Sequence, residues 1–238
     1  MNNNPMIARL KDIAIGTMGN SATYAGVAWK SMLLVAIVAV SACLTWAGGY
    51  ATSVTTMVTA VLALLLLIVV SVQPSLAANL SPLYAILKGM CLAGISVSLD
   101  LRYPGIVMNA VLLTLAIAMG AGFAFRMGWV RVTERFRFMT SVAILGVLLV
   151  YLLDLILYFF GMHVPMLHET GPLGIGVSLL IIGVATMCLF TDYDFIQRSV
   201  ERGMAKDYEW YCAFSLLVTL VWLYIQVLDL LRKIASSR

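Results

Sequence analysis

Five ionisable residues lie inside otherwise apolar runs of this chain: Lys88, Asp154, Asp192, Asp194 and Asp229. A charge in such a run is costly, and each one marks a site by default. The chemistry open to them is the handling of protons and cations. Neighbouring carboxylates share protons and offer hard oxygen ligands to an ion such as calcium, and a lysine among them supplies a competing positive charge. Covalent chemistry has less support. No GxSxG, HExxH or phosphate-binding loop is present, and no Ser-His-Asp set can be assembled at one depth. The chain is therefore expected not to be an enzyme. His163 and His168 lie five apart in a connecting stretch and form only a weak metal pattern. Cys43, Cys91, Cys188 and Cys212 show no CxxC or CxxxH spacing and read as small apolar fillers. No cofactor is implied.

The elements that must position these residues follow from composition. Of 238 residues, 62% are hydrophobic and 11% charged, whereas a soluble domain is about a quarter charged. A hydrocarbon layer of about 30 Å needs roughly 20 apolar residues at 1.5 Å each. Seven segments meet that need: 31–47, 54–72, 83–99, 105–125, 138–160, 173–190 and 211–231. Runs this long without alternation can satisfy their backbone groups only as helices. The expected fold is all-α, a polytopic membrane protein with a seven-transmembrane-helix bundle in a lipid bilayer. Residues 1–30 are expected as a cytoplasmic segment and 232–238 as a short basic tail. Pro74, Pro82, Pro104, Pro165 and Pro172 are placed between segments. Gly89, Ala93 and Gly94, and the set Gly171, Gly174, Gly176 and Gly183, are read as small residues for close helix packing. No cleavable signal peptide is expected, because the first apolar run starts only near Ser31.

Loop charges suggest a direction. Arg9, Lys11 and Lys30, the four arginines 126, 131, 135 and 137, and Arg198, Arg202 and Lys206 fall on one side of a seven-span chain. That side is expected to be cytoplasmic. Arg232, Lys233 and Arg238 would then lie outside, against the rule. The net charge of +4 is dispersed, so a nucleic-acid partner is not expected.

Depth then sorts the five candidates. Lys88 falls about 8 Å into the third segment, at 1.5 Å per residue, and Asp192 and Asp194 fall at the same end of the sixth. A pair between Lys88 and Asp194 would reduce the cost of burying either charge. Asp154 and Asp229 lie about 24–30 Å from the starts of their segments, where they too could meet. Each has a plainer reading. Asp192 and Asp194 could be solvated where the sixth helix leaves the membrane, Lys88 could snorkel to headgroups, Asp229 could be interfacial, and Asp154 could be a locally bonded bundle residue.

Beyond these single residues, a run of short motifs resembles the Bax inhibitor-1 (transmembrane Bax-inhibitor-motif) family, and more closely its bacterial branch. The motifs are 23-TYAGVAWK-30, 82-PLYA-85, 103-YPGIV-107, 128-GWVRVTERFR-137, 171-GPLGIG-176, 192-DYDFI-196 and 209-EWY-211, in this order. The resemblance implies a seven-helix inner-membrane protein with a central last helix. It also implies a pH-sensitive calcium or cation leak gated by two carboxylates, one ending the sixth helix and one in the seventh. Calcium would be the permeant ion and not a cofactor. Asp194 matches the sixth-helix acid. The partner position falls on Gln226 or, in the other register, on Leu223, neither of them an acid. Asp229 lies three residues beyond Gln226, on roughly the same face. Lys88 stands where the family usually carries Glu. The alternative implied by some bacterial relatives is a non-conducting interaction protein that restrains a membrane quality-control protease, with Met1–Trp29 as the contacting arm.

Overall fold

The computed structural model describes residues 21–161, 164, 167 and 169–237. His163, His168 and the first twenty residues of the expected N-terminal arm lie outside the described residues. Seven helices are long and apolar enough to cross a membrane: α1 (Tyr24–Ala47), α2 (Ser53–Val72), α3 (Ala77–Asp100), α4 (Ile106–Arg126), α5 (Glu134–Phe159), α6 (Pro172–Glu201) and α7 (Tyr208–Ser236). The chain is a multi-pass membrane protein.

Local chemistry sets the helix starts. Thr23, Thr52 and Thr133 occupy the caps of α1, α2 and α5, and each hydroxyl accepts from the backbone N–H three residues on, at 3.0–3.2 Å. The α3–α4 turn closes when Asp100 Oδ1 accepts from Gly105 N at 3.0 Å. Gly105 has φ +84°, a conformation that a residue with a Cβ rarely adopts.

Helix bounds differ from the apolar segments in a consistent way. Pro82 is not a boundary: it lies inside α3, which starts six residues earlier than expected. Neighbouring helices can re-satisfy the carbonyl that a proline frees within a membrane helix. Lys88 is consequently about 16 Å from the start of α3, close to its middle. At the other end of the chain, α6 continues past Asp192 and Asp194 to Glu201, and α7 continues to Ser236. The gap of residues 191–210 between the sixth and seventh apolar segments shrinks to a connection of residues 202–207. Arg232 and Lys233 are helical rather than part of a tail. Hydropathy registers the stretch in contact with hydrocarbon, and a helix carries on for as long as its backbone is bonded.

The chain divides into two compact units. The first combines the described part of Met1–Ser98 with Asp194–Val218, and the second combines Leu99–Tyr193 with Thr219–Arg238. In the first unit, Val27, Leu34, Tyr84, Ala85, Phe214 and Leu217 are buried, and the Tyr84 and Phe214 rings meet edge-on at 4.9 Å. Gly89 brings α3 against α1, since a Cβ there would fall on Ser41 Oγ and the Val38 carbonyl. Gly94 does the same against Thr56 of α2. In the second unit, Ala110, Ala118, Leu189, Leu223 and Val227 are buried. Tyr193 fixes α6 to α4 by donating to the Ala118 carbonyl at 3.0 Å. The remaining glycines do not do the packing expected of them. Nothing lies within 4 Å of a Cβ built on Gly176 or Gly183, and Gly171 and Gly174 meet only Glu169 of the preceding loop. Along α5 only Thr140 is buried, and an apolar surface of that extent requires a hydrocarbon environment.

Candidate functional site

The most enclosed acid of the first unit is one that neither depth nor charge pattern singles out. Glu209, in the first turn of α7, has a side chain 1% exposed. Its Oε1 accepts from Thr23 N at 2.8 Å and from Thr23 Oγ1 at 3.1 Å. Lys30 Nζ donates to its Oε2 at 2.6 Å and sits 5.2 Å from the centre of the Trp210 ring. Gly26 admits the carboxylate, because a Cβ at that position would overlap it. One charge thus sits at the N-terminal ends of two helices, α1, whose cap it bonds, and α7, in whose first turn it lies, and a negative group is favoured at both. The N-terminal segment adds a backbone bond to the α6–α7 turn, from Ala22 N to the Met204 carbonyl at 2.7 Å. The motifs 23-TYAGVAWK-30 and 209-EWY-211 are two halves of this clamp.

Asp194 lies in the same unit, 13% exposed, with its Oδ2 2.9 Å from Nε of Arg198 one turn on. Phe195 beside it packs on Tyr208 and Tyr211 at ring distances of 6.3 and 5.9 Å. The structure does not pair Lys88 with Asp194. Lys88 is half-buried near the middle of α3, and among the described residues no ion pair joins it to a carboxylate. Extending α3 past Pro82 moved the lysine away from the depth at which that pairing was expected.

The second unit holds the other candidates. Asp192 is buried and belongs to this unit, whereas Asp194 belongs to the first. Two residues on one helix point about 200° apart, so the two acids address different surroundings. On α7, Leu223 is fully buried and Gln226 nearly so, and Gln226 Oε1 accepts from the Tyr151 hydroxyl at 3.1 Å. Asp229 follows on the same face. Its Oδ1 accepts from Arg232 Nε at 3.0 Å, and its Oδ2 lies 3.0 Å from Lys233 Nζ. Asp154 instead holds the chain that follows α5, accepting from Val164 N at 2.9 Å. Asp154 and Asp229 both lie within electrostatic reach of Tyr151, and each has its own bonding partners.

Sequence reasoning missed three of these residues. Glu209 entered only as part of the 209-EWY-211 motif, ahead of the seventh segment, Lys30 as one of the cations of the cytoplasmic side and Lys233 as part of a tail. For Glu209 and Lys30 a signal was available: Gly26 and Lys30 lie four residues apart, on one helix face, and a glycine there leaves room for another element's side chain. Among the described residues no group of three His, Cys, Asp or Glu could hold a metal ion.

No curated protein and no solved structure matches the chain. A family model described as Bax inhibitor 1 like matches residues 4–236, nearly the whole length. With seven membrane-length helices and a clamp built from two of the family-like motifs, the chain belongs to the Bax inhibitor 1 like family.

Proposed function

We propose that this protein is a non-enzymatic cation leak of the bacterial inner membrane, with its N-terminus cytoplasmic, calcium as a permeant ion and Asp194 as the proton-responsive group. The observation that supports the reading is the setting of Asp194. It is a mostly buried carboxylate on a membrane-length helix, paired with a partly exposed arginine in its own helix. Protonation cancels its charge and releases Arg198, so the local balance of charge follows pH. Calcium flux into liposomes carrying the purified protein, compared at pH 6 and pH 8, tests this. Flux is expected to differ between the two pH values in the wild type and to become insensitive to pH in Asp194→Asn.

A second reading has its own support. The α7 position on which the resemblance places an acid is Gln226, bonded to Tyr151, or in the other register the buried Leu223, and with either the carboxylate pair is incomplete. In that reading the protein is a non-conducting partner of a membrane quality-control protease. Absence of flux at both pH values, together with altered turnover of other membrane proteins on deletion of the gene, would select it.

A further inference from the structure

Lys233 is the most enclosed cation of the second unit, its side chain 1% exposed, and the proposed leak makes no use of it. An ammonium has three N–H donors and no acceptor. Here three oxygens receive them: Ser178 Oγ at 2.7 Å, the Gly174 carbonyl at 3.3 Å and Asp229 Oδ2 at 3.0 Å. Ser178 passes its own hydrogen to Asp229 Oδ2 at 3.3 Å, which closes the ring of bonds. Arg232 holds the other oxygen of Asp229, so that the carboxylate is aimed at the lysine. The lysine sits three residues from the end of α7, where the helix dipole also favours a cation. Gly174 takes part through its backbone, and a Cβ there would strike the Glu169 carbonyl. A full donor-to-acceptor match of this kind is the make-up of a binding site rather than of a solvated ion pair.

We propose that Ser178, Gly174 and Asp229 form a site for a primary ammonium group, which the protein fills with its own Lys233 as a tethered cation. The site is built to hold a monovalent cation with three N–H donors, and the tether keeps free ions out of it. The proposal does not depend on whether the protein conducts. Asp229 is 31% exposed and Arg232 30%, so a small solute can reach the cage along them once the lysine is shortened.

Lys233→Ala removes the atoms of an n-propylammonium ion and leaves the oxygens. The purified variant is expected to melt below the wild type and to regain several degrees with n-propylammonium chloride, saturating at millimolar concentration. Tetramethylammonium carries the same charge without N–H donors and should restore nothing. Wild type, Lys233→Met and the double variant Asp229→Asn with Lys233→Ala should not respond. An equal response to both ions, or none in folded Lys233→Ala, overturns the proposal. If Lys233→Ala is recovered folded only when purified in n-propylammonium, the proposal stands; if it is recovered with neither ion, the proposal fails. Calcium flux does not enter these outcomes, so failure here and failure of the leak reading are separable.

Discussion

Glu209 is a single carboxylate with three hydrogen bonds to account for its burial, and the sum of those bonds decides what it is worth. It receives one backbone N–H, one hydroxyl and one lysine ammonium, and Gly26 opposite leaves room for them. Glu209→Gln keeps the shape but removes the charge that neutralises Lys30, which is itself only 14% exposed. Losing one partner of an enclosed pair leaves the other uncompensated, at about 2–3 kcal/mol. Thermal unfolding in detergent should show a loss of that size. Combining it with Lys30→Met should cost clearly less than the sum of the two single changes, because both remove the same interaction. An additive result would mean that Lys30 and Glu209 do not act together. Such a clamp was hard to read from sequence for a physical reason. A first-turn glutamate and a lysine before an apolar run each look solvated, and their partnership spans 179 residues of chain.

Helices are the scale at which most of the fold was legible. Seven apolar runs announced seven helices, because the hydrocarbon thickness demands a minimum length and backbone bonding permits no other regular form. Their ends were not legible, since α3, α6 and α7 each extend by several residues whose apolar content no longer marks them. That error carried Lys88 to the wrong depth and Lys233 into a tail. Small residues were legible only in part. Gly89 and Gly94 mediate contact between helices, whereas Gly176 and Gly183 meet nothing. A substitution separates the two kinds. Gly89→Ala places a Cβ on Ser41 Oγ and on the Val38 carbonyl, and a backbone carbonyl cannot swing aside. Overpacking of this sort costs about 1–3 kcal/mol. Gly183→Ala encounters no neighbour and gains helix propensity, so its effect should lie within about 1 kcal/mol of zero and on the stabilising side. Unfolding of both variants in mixed micelles gives the comparison, and equal losses would remove the assignment of Gly89 to a helix contact.

For the whole chain, the outstanding conflict was one of charge. Ten basic residues fall on the side taken as cytoplasmic, and Arg232, Lys233 and Arg238 break the pattern. The structure changes how two of these three are counted. Lys233 is enclosed and bonded to Asp229, Ser178 and Gly174, and Arg232 is paired with the same Asp229 at 2.5 Å. The orientation bias is set by basic residues that border the span and are free to stay on the cytoplasmic face, whereas Lys233 is enclosed within α7's own contacts and Arg232 is held on the helix by Asp229. Only Arg102 of the α3–α4 connection and Arg238 are then left to oppose ten, so seven spans and a cytoplasmic N-terminus fit the charges together, and the C-terminus is expected on the opposite side. Single cysteines placed in a background free of the four native ones can check this with a membrane-impermeant maleimide. Ala51→Cys, in the α1–α2 connection, and Ser237→Cys, after α7, should label in intact cells. Arg131→Cys, in the α4–α5 connection, should label only after lysis. Labelling of Ser237→Cys and Arg131→Cys from the same side would mean that α7 does not cross, whatever its length. The Lys233 cage would then have to be seen as part of a re-entrant helix and not of a spanning one.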